Sequence, residues 1–290
     1  INSKFFGDML RRTPLFASFL VVGGCAESKE RTCLKAVEKI DITQSPSDSS
    51  FSISSSLLPS SCLNTPRRSP SLIQYHGHSA VVGGCTRPGR HVSTVEVWKK
   101  DGFSVVDELN DVEERSCAAF CTLPDGRSIL IGGYNGIECL RSTTVISEEG
   151  LVCPLKPFVS RLKNATATAT RGNDVIVVGG WDEQRTMRTV YKLDVSSGDA
   201  EMVALLPRSI EGHSSVTVDD VIFVFGGYDG IEVTDEILMI GYDSGVWTAK
   251  VVEDCTMARR SENHYALLIG DSHIAVIGGW NGRETLRRVE

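Results

Sequence analysis

The residues able to do chemistry are scattered along this chain rather than gathered at a working spacing. His76 and His78 stand two apart. On a strand that spacing points both imidazoles to one face, as a metal pair would need. Plain solvent-facing histidines account for them as well. His213 and His264 follow Arg208 and Arg260 at similar distances, and a residue copied from place to place suits packing in a repeated strand better than a single active site. None of the nine cysteines forms a C-x-x-C pair; the closest two, Cys117 and Cys121, are separated by three residues. Zinc and redox motifs normally need tighter spacing. No glycine-rich loop opens a helix to hold phosphate, and no Ser/His/Asp order stands out. The reading is of a non-enzyme with no catalytic residues, no cofactor and no metal. Arginine is the exception to the scatter. Arg115, Arg161, Arg208 and Arg260 recur 17 or 18 residues ahead of successive Gly-Gly pairs, with Ser116, Ser209 and Ser261 beside three of them and Arg68 as an expected equivalent. A guanidinium fork matches a carboxylate in two parallel hydrogen bonds.

These arginines need elements to hold them, and the repeat supplies those elements. Six Gly-Gly pairs, at 23–24, 83–84, 132–133, 179–180, 226–227 and 278–279, each end a short apolar run such as 129–131 or 175–178. The intervals between first glycines are 60, 49, 47, 47 and 52 residues. β-Branched runs stopped by glycine read as buried strands. Polar turns follow most pairs: Tyr134-Asn135-Gly136, Trp181-Asp182-Glu183, Tyr228-Asp229-Gly230 and Trp280-Asn281-Gly282. Asn-Gly and Asp-Gly tolerate the positive φ of tight turns. Each repeat then holds about four short strands and no helix. A four-stranded sheet buries both faces only by stacking on others around an axis.

Length and composition agree. The chain has 290 residues, 41% of them apolar and 23% charged, the balance of a globular protein. A net charge of −7 disfavours a broad nucleic-acid surface. An odd number of scattered thiols suggests a reducing compartment, giving an expected cytoplasmic location, with nucleus or cytoskeleton as variants. The apolar stretch 15–22 could pass for a secretion signal, but Val21-Val22-Gly23-Gly24-Cys25 recurs as Val81-Val82-Gly83-Gly84-Cys85 and so reads as a strand; no membrane span is expected.

The in-frame Gly-Gly pairs, the Arg-Ser steps and the aromatic-Asp-Gly turns together resemble the kelch repeat family, over nearly the whole chain. The resemblance implies an all-β, six-bladed kelch β-propeller of four-stranded antiparallel blades, with residues 1–14 leading in and 15–290 forming the ring. The first and last blades read as irregular or incomplete, since the last repeat runs out at 286–290 and residues 4–9 are one candidate for filling the gap. Residues 44–70, rich in Ser and Pro, read as a mobile loop in the first repeat. In such blades the inter-blade connections and the loops after the second strand emerge on one face. The resemblance therefore implies a ring of Arg115, Arg161, Arg208 and Arg260 at the channel mouth, joined by Arg68 and Arg185 and drawing in an acidic segment of a protein partner. Residues 9–14 look like the junction that enters the propeller in BTB–kelch substrate adaptors of cullin-type ubiquitin ligases, which implies a substrate-recognition role. Actin binding, as in other kelch proteins, is the alternative, and an enzyme of kelch fold a more distant one.

Overall fold

The computed structural model describes residues 15–26, 32–45, 50–100, 102–107, 109 and 111–290. Residues 1–14, with the lead-in junction and the gap-filling strand expected there, lie outside the described residues.

Short β-branched runs pair antiparallel into sheets set around an axis. Blade 1 holds β1 (Phe16–Val22), β2 (Val37–Gln44) and β3 (Phe51–Leu57). Blade 2 holds β4 (Ser71–Tyr75), β5 (His78–Val82), β8 (Val95–Lys99) and β9 (Gly102–Val106), with a small ribbon of β6 (Cys85–Arg87) and β7 (Arg90–His91) inserted in it. Blade 3 is β10 (Ala119–Thr122) to β13 (Val152–Pro154), through β11 (Ser128–Ile131) and β12 (Thr143–Ile146). Blade 4 is β14 (Thr166–Ala169), β15 (Asp174–Val178), β16 (Thr189–Asp194) and β17 (Ala200–Leu205). Blade 5 is β18 (Ser214–Val218), β19 (Val221–Tyr228), β20 (Val233–Asp243) and β21 (Val246–Thr256). The first strands β4, β10, β14, β18 touch in succession, and β18 touches β22 (Tyr265–Ile269). They line the axis.

The expected count of six blades is corrected to five. The sixth repeat supplies only a two-stranded hairpin, β22 with β23 (His273–Ile277). Residues 288–290 add backbone bonds to the edge of β23, among them Gly278 N–H to Arg288 O at 3.0 Å, and no outer strand follows among the described residues. The reading of residues 44–70 as a loop is also corrected. Seven of them form β3, paired along its length with β2 from Glu38↔Leu57 to Gln44↔Phe51. All seven side chains of β3 are exposed. An outermost strand has no face to bury, so its composition can be that of a loop while its backbone is fully paired. Beyond it, the 3-10 turn Pro59–Ser61 leads to Leu63, which is buried.

Packing between blades follows strand alternation. Ile129, Ile131 and Val145 of blade 3 join Val175, Val177 and Leu193 of blade 4 in one apolar cluster. Their neighbours Leu130 and Ile146 face the other way, into the cluster with Ile73, Val82 and Val97 of blade 2. Ile176 and Val190 of blade 4 meet Val224 and Leu238 of blade 5, and Phe225 and Ile237 meet Ala266 and Val276 of the hairpin. Ile269, Ala275 and Ile277 then pack on Ile40 and Ile42 of blade 1. Among the described residues, the ring therefore closes by apolar contact, with no four-stranded sheet completed at this joint.

The seam between blades 1 and 2 carries a buried ion pair. Arg67 and Glu96 have fully buried side chains and meet at 2.5 Å. The Arg67 guanidinium also donates to Gly83 O (2.7 Å), Thr94 O (2.9 Å) and Thr94 Oγ1 (3.1 Å). Glu96 accepts from the backbone amides of Asn64 and Thr65 at 2.6 and 3.0 Å. Burial disfavours the charge on Arg67 and the facing carboxylate counters it, as expected of a dry but saturated pair. Across the same seam, Gly24 N–H donates to Arg67 O at 2.9 Å.

Candidate protein-interaction face

The Gly-Gly pairs create one face of the ring. At the first glycine of each full blade φ is positive, and a Cβ would strike a carbonyl of the next connection: Gly132 meets Leu162 O at 2.4 Å and Gly179 meets Ile210 O at 2.4 Å. Only glycine lets the strand end this close to its neighbour. The chain then emerges beside the channel, where the next residue bridges to the connection entering its own blade: Cys85 to Arg68, Tyr134 to Ser116, Trp181 to Lys163, Tyr228 to Glu211 and Trp280 to Glu262. A collar results, half-aromatic and split in charge. Lys163 lies over the rings of Tyr134 and Trp181, 5.2 and 4.5 Å from their centres, a half-buried cation on two π faces. Opposite in sign, Glu211 accepts from Asn164 Nδ2 (2.8 Å) and Thr186 Oγ1 (3.2 Å). Burial, and then the charge of Glu211, hold the Glu262 carboxyl above its ordinary range.

Outside the collar, four loops share one device. Asn135 Oδ1 accepts from the amides of Ile137 and Glu138, Asp182 from Gln184 and Arg185, Asp229 from Ile231 and Glu232, and Asn281 from Arg283 and Glu284. Such side-chain-capped turns fix the loop backbone locally. Two of them hold out isoleucines: Ile137 is 88% exposed and Ile231 87% exposed.

The arginines named from sequence do not form one ring of free cations. The residues whose carbonyls meet the first glycines of successive blades are Arg67, Arg115, Leu162, Ile210 and Ser261. Arg115 is therefore the structural twin of Arg67, not of Arg161 or Arg208. Its side chain is buried, with Nη1 donating to Gly132 O at 2.9 Å and Nη2 to Glu113 at 2.9 Å. Arg68, the expected equivalent, occupies the place of Ser116, one position on. Ser116 and Ser261 are buried, Ser209 half-buried. The remaining arginines lie at the surface and each meets a carboxylate. Arg161 pairs with Glu138 at 2.5 Å and with Glu183 at 3.8 Å. Arg208 pairs with Glu236 at 2.7 Å, Arg260 with Glu232, and Arg185 with Asp182 at 3.8 Å. The acidic residues of the capped loops neutralise the ring locally. Sequence reasoning missed Arg67, Lys163 and the loop isoleucines. The last were within reach, because Gly136-Ile137 and Gly230-Ile231 repeat an apolar residue inside a turn signal. His213 and His264 are buried beside Gly179 and Gly226, in equivalent places, as their spacing suggested. No helix among the described residues is long and apolar enough to cross a membrane.

Comparison with known proteins agrees with this geometry. Residues 164–199 and 211–249, in blades 4 and 5, match the family model described as Kelch motif. The chain is 26% identical over 196 residues to the spermatocyte protein spe-26 of Caenorhabditis elegans, covering 61% of this chain and 33% of that protein. It is 29% identical over 143 residues to the Rho GTPase-activating protein gacHH of Dictyostelium discoideum, covering 44% of this chain and 9% of that protein. The chain thus spans a third or less of the length of these curated relatives.

Proposed function

We propose, from the premise that the chain belongs to the kelch-repeat β-propeller family, that its capped-loop face recognises a protein partner. The observation that carries this reading is the pair of isoleucines, Ile137 and Ile231, held almost fully exposed on loops whose backbones are fixed by Asn135 and Asp229. Apolar groups on rigid supports, rimmed by charged residues, have the anatomy of an interface centre with a polar rim. The ion pairs of Arg161, Arg208 and Arg260 supply that rim, where an acidic stretch of the partner competes with Glu138, Glu236 and Glu232 for the guanidinium groups. The two relatives differ in description and carry the matched stretch as a minor part of their length. That favours a portable recognition module over a catalytic domain. Delivering a substrate to a cullin-type ubiquitin ligase is the use we propose for such a module. Binding of actin filaments is the competing use, and it is read directly by co-sedimentation.

The test is comparative capture with wild type and the double variant Ile137→Asp, Ile231→Asp. An apolar hot spot is worth about 2 kcal/mol, so each change should weaken binding by roughly thirty-fold. The melting temperature should stay put, because both side chains touch solvent rather than the core. A partner retained equally by both proteins would remove the isoleucines from the binding face.

A further inference from the structure

Blade 1 departs from the others at the collar. Where blades 3 and 4 carry the bridged pairs Tyr134↔Cys139 and Trp181↔Thr186, and blade 2 pairs Cys85 with His91, blade 1 sets Cys25 against Cys33. Of these bridged pairs among the described residues, it alone is thiol against thiol. The backbone register is explicit. Ala26 N–H donates to Thr32 O and Leu34 N–H to Gly24 O, both at 2.9 Å. These bonds flank the cysteines instead of joining them, so the two form a non-hydrogen-bonded antiparallel pair. That register brings facing Cα atoms to about 4.5 Å, with side chains at their closest, inside the span of about 4.4–6.8 Å that a disulfide bridges.

Two further groups converge there. Arg68 and Cys85 come from the neighbouring blade, and Cys33 Sγ–H donates to Cys85 O at 3.0 Å across the seam. The Arg68 charge acts on all three thiols. Cys25 is half-exposed and Cys33 buried, which divides their roles. Burial raises the Cys33 thiol, nearby Cys85 and Cys25 raise it further, and Arg68 opposes them. Elsewhere, burial pushes Cys121 and Cys139 up to about 12, leaving them little thiolate at neutral pH.

We propose that Cys25 and Cys33 are a redox-active dithiol at the mouth of the channel, closed to a cross-strand disulfide by a small-molecule disulfide of the glutathione class. The Cys25 thiolate attacks one sulfur of that oxidant, whose S–S bond breaks and releases one reduced thiol. The Cys33 thiolate then attacks the Cys25 sulfur, displacing the second reduced thiol. Two cysteine S–H bonds are exchanged for one S–S bond, and the two protons and two electrons leave on the two small thiols. Oxidation also removes the only proton Cys33 has to offer Cys85 O, so it alters the seam between blades 1 and 2 at the collar. This holds whether or not the capped-loop face binds a partner.

The test uses the full chain, folded, with excess oxidised glutathione at mildly alkaline pH, followed by alkylation and peptide mapping by mass spectrometry. In the map, Cys25 and Cys33 of wild type should together lose two hydrogens, keep no glutathione and appear as one cross-linked peptide, whatever the exposed Cys153 and Cys255 take up. Cys33→Ser should stop at the first step and retain one glutathione on Cys25. Cys25→Ser should protect Cys33 from modification, and Cys85→Ser should leave the cross-link intact. Wild-type protein in which both thiols are alkylated, in which Cys25 keeps its glutathione, or in which Cys33 is joined to Cys85 would overturn the proposal. The wild-type map decides without reference to whether any variant folds.

Discussion

Glu96→Ala should lower the unfolding free energy by about 3–5 kcal/mol, the cost of leaving a buried charge without its partner. The reason is local. The Glu96 carboxylate is the only charge facing the Arg67 guanidinium among the ion pairs of the described residues, and both side chains are fully enclosed. Its removal also strands the amides of Asn64 and Thr65, which it caps. Arg67→Met combined with Glu96→Leu should recover much of the loss, since two apolar groups of similar volume replace a pair whose attraction largely offsets its own desolvation. Surface pairs provide the control. Lys156→Ala, which breaks the exposed contact with Asp199 at 2.7 Å, should cost well under about 1 kcal/mol. Urea unfolding of the four proteins measures the differences. A cost for Glu96→Ala no larger than that for Lys156→Ala would mean that the seam between blades 1 and 2 does not depend on the pair.

Acidification should destabilise the ring well before its carboxylates protonate. Burial pushes His213 down to about 3 and His264 down to about 4. In the unfolded chain both titrate near the ordinary value of about 6.5. Between that value and the folded values, the unfolded state binds more protons than the folded one, so stability falls as pH falls. Each histidine contributes about 1.4 kcal/mol per pH unit across this window, and the pair nearly twice that. Nothing further is lost to these groups below their folded values. Asp41, Asp125, Asp194 and Asp199, all lowered by hydrogen bonds, act in the same sense, but only below about pH 4. Glu262, raised by burial, opposes the trend at and above the ordinary glutamate value of about 4.3, within the histidine window. Unfolding midpoints from pH 7 to pH 4.5 should therefore drop steeply in wild type and much less in His213→Gln, His264→Gln. Parallel slopes in the two proteins would rule the histidines out as the cause.

The legible part of the fold was whatever a single residue type had to do alone. A strand end where an added Cβ would fall 2.4 to 2.5 Å from a foreign carbonyl, as at Gly83, Gly132, Gly179 and Gly226, leaves no choice but glycine, so the blade frame is written in the letters. The arginine frame is not. Between the connection and the next glycine pair lie hairpins of slightly different length: Arg67 precedes Gly83 by 16 residues and Arg115 precedes Gly132 by 17. The connection residue lies 16 residues ahead of its glycine at Arg67 and Ile210 but 17 ahead at Arg115, Leu162 and Ser261, so no single count back from glycine finds it. Half-buried Arg68 stands one residue past buried Arg67, and Arg161, Arg208 and Arg260 stand one, two and one residues before Leu162, Ile210 and Ser261. β3 was hidden for another reason: an edge strand exposed on every side chain carries no period for burial to imprint. The Cys25–Cys33 pair and the Arg67–Glu96 pair depend on cross-strand register, which spacing along the chain does not encode.

The closing joint differs from the others in the order of events it permits. Most seams join repeats that follow one another along the chain, and their contacts can form as soon as two neighbouring repeats exist. The cluster of Leu15, Phe19, Ile40 and Ile42 with Ile269, Ala275 and Ile277 unites the two ends of the described chain. Bringing those ends together costs the loop entropy of nearly the whole chain unless the intervening blades are already stacked. Folding should then run as a curved row of blades that lengthens first and latches last. Once latched, the row is a ring in which no single seam can open without straining the rest, so the weakest link gains the persistence of the assembly. The clasp made by a few aliphatic side chains at either end thus governs how long the folded ring survives more than how readily it forms.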